Sequence, residues 1–245
     1  LDSIELLGLK VNRLTMTEAL TVINSFVQKK TPHHVITVDA SMVVLAREDP
    51  DLKRIVRGAD LVTPDGAGIL WAANLFGKRI NNKVSGVDIV EQLCKASSMT
   101  GLKLFFLGAA PEVASTAAVK LTEKYPGARI VGTRHGFFTV EEEPEIVKEI
   151  AETKPDVLFV AFGIPKQEKF IERNKAAMGI PVLIGVGGSF DVYSGLVKRA
   201  PVWMQNAGLE WIFRLCQNPK KINKVMTLPT FVLIAIWTKL SGKAD

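Results

Sequence analysis

Asp65 lies in Thr63-Pro-Asp-Gly-Ala-Gly68, where a strand-like apolar run ends and a glycine turn leads into an apolar helical pattern. A carboxylate at such a turn can project into a cleft and accept a proton. With an ordinary pKa near 4 it is ionised at neutral pH. The same carboxylate could instead cap the following helix or close an Asx turn, and the pattern alone does not choose. Lys166 and Gln167 fall in the first turn of a helix after a glycine loop, within reach of an anionic or hydroxyl-rich ligand; a solvated helix start is the competing reading. Gly185-Val-Gly-Gly-Ser-Phe-Asp191 is similar to a phosphate-cradling loop. In it Gly187 and Gly188 allow close backbone approach and Asp191 adds a carboxylate. No dinucleotide fingerprint or Walker-type loop is completed, which argues against a nicotinamide oxidoreductase. Lys198 and Arg199 follow directly, a basic pair suited to a diphosphate.

Other groups are poorer candidates. Asp49-Pro-Asp51 matches the DxD with which many metal-dependent sugar transferases hold a nucleotide diphosphate. Pro50, however, sits where a helix accepts proline, so Asp49 reads as a cap and no metal site is expected. Two cysteines 122 residues apart and three histidines provide no CxxC and no HExxH, so a cysteine zinc site and a disulfide scaffold are not expected. Cys94 falls in an apolar helical pattern and is expected in the core.

The elements that must position these groups alternate along the chain. Thr15-Met-Thr-Glu18 predicts a capping box opening a helix over 16–29, followed by a buried strand at 33–38. Further strands are expected near 59–63, 102–107, 129–132, 156–161 and 181–185. Helices fit between most of them, near 87–99, 112–124, 141–153 and 166–178. This alternation predicts an α/β fold, a mainly parallel Rossmann-like sheet with helices on both faces. Ligands in such sheets bind beyond the carboxyl ends of the strands, where the glycine loops at 63–68, 108–111, 163–168 and 185–191 would gather. A polar, glycine-lined cleft of this kind suits a nucleotide-linked substrate.

The 245 residues are 47% apolar and carry a net charge of +6, which excludes a disordered chain and leaves room for one large domain with an appendage. Residues 1–195 are neutral, with 23 basic and 23 acidic side chains; all the excess charge, and three of the four tryptophans, lie in 196–245. We therefore expect an α/β catalytic body over 1–195 and a basic, Trp-rich appendage over 196–245 with an anionic partner. The apolar run 228–237 covers roughly 15 Å as a helix, half of a ~30 Å hydrocarbon core, so it cannot span a bilayer. With Trp237, Lys239 and Lys243 it suits the headgroup zone, and packing on the body or on a second subunit is the alternative. Nucleic acid is not expected, because the tail's apolar run has no basic residue between Lys224 and Lys239. The N-terminal LDSIELLGLKV lacks a basic region followed by an apolar one, so no signal peptide and a cytoplasmic location are expected.

Taken together and in order, the motifs resemble the WecG/TagA/CpsF family of bacterial glycosyltransferases, glycosyltransferase family 26. The resemblance runs from about residue 35 to 217. It is carried by Asp65-Gly66, Val84-Ser-Gly-Val-Asp88, Gly163-Ile-Pro-Lys-Gln-Glu168, Gly185 to Gly195, Val197-Lys-Arg-Ala-Pro201 and Gly208-Leu-Glu-Trp211 with Arg214. It implies an inverting transferase, working without a metal or cofactor, peripheral on the inner face of the bacterial cell membrane. Within the family the chain looks most like the TagA branch, which moves N-acetylmannosamine from its UDP donor to undecaprenyl-diphosphate-linked N-acetylglucosamine for the wall teichoic acid linkage unit. A different UDP-sugar donor is the alternative. By position, Asp65 corresponds to the general base, and Thr37 and Gln167 line the sugar-nucleotide pocket. Lys83 stands where arginine is common, and Asp39 where asparagine is common. Arg214, Lys221 and Lys224 correspond to phosphate contacts of a membrane-docking appendage.

Overall fold

The computed structural model describes residues 1–206, 208–217 and 227–242. Its centre is a six-stranded sheet in which every pairing is parallel. From one edge the order is β4 (Leu61–Pro64), β3 (His33–Val38), β8 (Val182–Gly185), β7 (Val157–Ala161), β5 (Lys103–Gly108) and β6 (Arg129–Arg134). The central strands are apolar throughout because both faces are covered, and every residue of β7 is buried. Alternate side chains feed opposite layers. Val35, Phe106, Phe159 and Ile184 pack under α1 (Met16–Lys29), α5 (Gly86–Thr100), α6 (Val113–Lys124) and α9 (Ser189–Tyr193). Ile36, Val38 and Val62 pack under α2 (Ala40–Glu48), α3 (Pro50–Gly58) and α4 (Ala67–Leu75). Phe105, Leu158 and Leu183 pack under α7 (Glu143–Glu152) and α8 (Lys166–Met178). The expected α/β fold is therefore present.

Local signals set the helix starts. Thr15 and Glu18 form the expected capping box, the Thr15 amide donating to the Glu18 carboxylate at 2.7 Å. Asp49 caps α3 by accepting from the Leu52 amide at 3.0 Å, with Pro50 at the first helical position. The DxD segment is thus used as a helix start, and Asp49 is also paired with Lys169 at 2.6 Å.

An N-terminal hairpin, β1 (Ser3–Leu6) and β2 (Leu9–Asn12), was not expected from the sequence. Leu7 and Gly8 turn it with positive φ at both positions, the geometry of a two-residue hairpin loop. It shields the edge of the large sheet: the Asn12 side-chain carbonyl accepts from the Val62 amide at 2.8 Å. Farther along the same edge, the Val84 amide donates to the Pro64 carbonyl at 2.8 Å and the Thr63 hydroxyl to the Val84 carbonyl at 3.0 Å. These bonds leave little of β4 open for intermolecular pairing.

The C-terminal segment contributes α10 (Val202–Asn206), α11 (Glu210–Gln217) and α12 (Thr227–Leu240). Helix α12 packs on α2 and α4, with Phe231 and Ala235 fully buried and Trp71 set against Phe231 at 6.2 Å between ring centroids. Burying the Phe231 side chain contributes about 1.5–3 kcal/mol. The Lys239 ammonium donates to the Leu75 carbonyl. The opposite face of α12 is apolar as well: Leu233, Ile236, Trp237 and Leu240 are exposed. Among the described residues no helix is long and apolar enough to cross a membrane.

At the amino end of β3, His34 is 1% exposed, with Glu172 3.9 Å from Nδ1 and Lys175 and Asp60 acting on it as well. Burial pushes the ring's pKa below its usual 6.5, so the folded chain keeps His34 neutral. The unfolded chain takes up that proton as pH falls through about 6.5, whereas the folded chain does so only at lower pH. Stability is therefore complete above that value and declines below it, by at most about 1.4 kcal/mol per pH unit for one proton. Urea unfolding between pH 7 and about 5.5 should show this decline, and His34→Leu should flatten it. An equal slope in the two chains would contradict the assignment.

Candidate active site

The loops beyond the strand ends converge as a chain of contacts. Asp65 follows β4, and its amide donates to the Val38 carbonyl at 2.8 Å, carrying the β3–β4 ladder one step past the sheet. Gly66 with φ +90° is the N-cap of α4, which has no side-chain cap. The Asp65 carboxylate accepts from the Gly86 amide at 3.1 Å, at the start of α5, and stays partly exposed.

Gly86 is the next link. A Cβ there would lie 3.4 Å from the Val186 backbone and 3.5 Å from the Thr37 hydroxyl, so the Val84-Ser-Gly-Val-Asp88 turn rests directly on β3 and the loop after β8. The buried Thr37 hydroxyl donates to the Gly185 carbonyl at 3.4 Å. Gln167, 2% exposed, completes the series. Its side-chain oxygen accepts from the Gly163 amide at 3.1 Å and the Gly187 amide at 3.0 Å, and its nitrogen donates to Glu168 at 2.7 Å. A Cβ on Gly185 would stand 2.5 Å from that nitrogen, so only glycine lets Gln167 reach across. Thr37, Asp65, Gln167 and Gly187 thus belong to one contiguous cluster.

The remaining expected residues surround it in different ways. Gly188 is exposed, and a Cβ on it would lie 3.4 Å from the Asp191 carboxylate. Asp191 sits in α9, which is anchored by the Tyr193 hydroxyl donating to the Val87 carbonyl at 2.8 Å. Lys166 is exposed at the first position of α8. Asp39 caps α2, accepting from the Met42 amide at 2.8 Å. Lys83 pairs with Glu210 at 2.8 Å, each side chain 21% exposed. Arg199 pairs with Asp88 at 2.6 Å. Lys198 is exposed, its backbone held at both N–H and C=O by the Gln217 amide at 2.8 Å. Arg214 lies in α11, and its side chain, together with Lys221 and Lys224, falls outside the described residues.

Four participants did not emerge as site residues from the sequence: Gly86, Asp88, Glu168 and Glu210. Each belongs to a recognised motif, but nothing in its local pattern separates it from a helix-start residue. Glu168 is fully buried, and its carboxylate accepts from the Gln167 side chain. Cys94 is in the core as expected, where burial pushes its thiol up to about 12 and leaves it unreactive. Among the described residues no group of three or more His, Cys, Asp or Glu side chains converges as a metal site.

A carboxylate at a strand-to-helix turn, a buried amide bridging two glycine loops, and lysine and arginine paired just outside suit a sugar nucleotide. The glycosyl transferase WecG/TagA/CpsF family model matches residues 4–245. The chain belongs to this family. Its members similar to this chain include the N-acetylglucosaminyldiphosphoundecaprenol N-acetyl-beta-D-mannosaminyltransferase of Bacillus subtilis (strain 168), 32% identical over 86% of this chain and 82% of its own. The protein of the same name from Bacillus spizizenii is 33% identical over 81% of this chain and 76% of its own. That from Staphylococcus aureus (strain MW2) is 28% identical over 94% of this chain and 90% of its own. As a WecG/TagA/CpsF glycosyltransferase, the chain brings Thr37, Asp65, Gly86 and Gln167 together beyond the strand ends of its sheet.

Proposed function

We propose that this glycosyltransferase moves N-acetylmannosamine from UDP-N-acetylmannosamine to undecaprenyl-diphosphate-linked N-acetylglucosamine, the step that commits the lipid to the wall teichoic acid linkage unit. The relatives' shared name supports the donor sugar and the acceptor. The observation that carries the chemistry is the partly exposed Asp65 carboxylate, oriented by the Gly86 amide at the start of α5.

In this reading the acceptor hydroxyl attacks the anomeric carbon while Asp65 takes its proton, and the C–O bond to UDP breaks on the opposite face. The configuration inverts. Thr37, Asp39, Lys166, Gln167, Gly187, Gly188 and Asp191 line the donor pocket. Lys83, Lys198, Arg199, Arg214, Lys221 and Lys224 serve the phosphates, stabilising the charge that develops on the departing diphosphate. Mass spectrometry of the lipid product tests the transfer: one added N-acetylhexosamine is expected, and an unmodified acceptor would refute it.

The body of 1–195 carries the base and the donor pocket, and the appendage of 196–245 adds phosphate contacts and brings the enzyme to the inner face of the cell membrane. The support is the outward stripe of Leu233, Ile236, Trp237 and Leu240, spaced three and four apart. Exposed Trp203 and the basic side chains of the tail suit the headgroup region of an anionic leaflet. Leu233→Ser with Trp237→Ser should weaken binding to vesicles rich in anionic lipid by about 100-fold, since each side chain gives up roughly 1.5 kcal/mol of burial. Sedimentation with vesicles measures it, and unchanged partition would contradict the assignment.

A further inference from the structure

The ion pair between Lys83 and Glu210 joins the two chain segments that flank Asp65. Lys83 immediately precedes Val84, whose backbone is bonded to Pro64 and Thr63, and it lies three residues before the Gly86 amide that holds the Asp65 carboxylate. The backbone that carries Lys83 is therefore held beside the Asp65 turn. Glu210 approaches from α11, which is seated closely: a Cβ on Gly208 would lie 2.7 Å from the Ala67 Cβ, two residues beyond Asp65. Gly208 has φ +72°, so glycine is suited there both in conformation and in size. Arg199 and Asp88 form a second bond of the same kind between the body and the segment leading to α11.

A carboxylate and a diphosphate compete for the same ammonium, since both are oxygen anions that accept its N–H bonds. We propose that Glu210 is a positioning residue that acts through Lys83. In the unliganded chain it holds the ammonium and α11 together over the Asp65 turn, and the diphosphate of the bound donor displaces it. Lys83 changes partner as the nucleotide binds, and α11 is released from the body side of the cleft. This rests on the reading of the cleft as a nucleotide-diphosphate site.

The test uses the full chain and UDP as the probe, with affinity measured by calorimetry. Removing the competing carboxylate in Glu210→Gln should tighten UDP binding by about fivefold, the scale of a partly exposed ion pair. The donor KM should fall in parallel, without a rise in kcat. In a Lys83→Gln background the same substitution should leave UDP affinity unchanged, because the ammonium over which the two anions compete is gone. Unchanged or weaker binding in a Glu210→Gln chain of wild-type melting temperature would overturn the proposal, as would an equal gain in the Lys83→Gln background. Glu210→Ala provides a second variant. If neither chain folds, Glu210 is a structural residue and the proposal fails. Absence of UDP binding by the wild-type chain would overturn the nucleotide reading of the cleft itself, which the variant comparison separates from failure of the displacement alone.

Discussion

Replacing Asp65 with asparagine should lower the transfer rate by about 10²–10⁴-fold, the range that a positioned proton acceptor contributes. The substitution is nearly isosteric, and the asparagine carbonyl can still accept from the Gly86 amide, so the turn is expected to keep its shape. UDP affinity should change little, because the lost group acts on the acceptor hydroxyl rather than on the nucleotide. Steady-state kinetics with calorimetry on the same preparation separates the two effects. A variant turning over within about tenfold of wild type would remove Asp65 from the base role. Loss of UDP binding together with the rate would instead make it a structural residue of the turn.

Gln167→Ala should be the most damaging single change to the arrangement of the loops. The side chain is almost wholly buried, and its removal takes a partner from the Gly163 and Gly187 amides and a donor from Glu168. The two amides are only partly buried and can turn to water, so a total of about 1–3 kcal/mol is expected. The two glycine loops would lose their register against each other, and transfer should fall at least about 100-fold through misplacement of the donor. Urea unfolding and the donor KM measure the two parts. Stability within about 0.5 kcal/mol of wild type, with KM unchanged, would show that the bridge is dispensable.

Much of this arrangement could be read from the residues. The capping box at Thr15, the proline at the start of α3 and the all-apolar strands each have a local physical cause, so the α/β alternation and most element positions follow from the chain itself. The glycine loops could be placed at one edge of the sheet, because parallel strands put every such loop there. What could not be read are long-range choices. Leu7 takes a left-handed conformation that its type disfavours, so the N-terminal hairpin carries no clear turn signal. The partner that orients Asp65, the Gly86 amide, lies 21 residues away, and the partners of Lys83 and Arg199 lie more than 100 residues distant in sequence. Helix α12 is apolar on both sides, so its pattern could not choose between packing on the body and facing lipid. In the fold one side packs on α2 and α4, which leaves the other for the proposed membrane contact.

The most direct measurement is UDP release from a panel of UDP-sugars, with and without a lipid-diphosphate-linked N-acetylglucosamine acceptor. The account predicts acceptor-dependent release from UDP-N-acetylmannosamine, unaffected by EDTA and lost in Asp65→Asn. Acceptor-dependent release from another UDP-sugar alone would keep the transferase and change its donor. No release from UDP-N-acetylmannosamine, with acceptor and anionic vesicles present, would contradict the account.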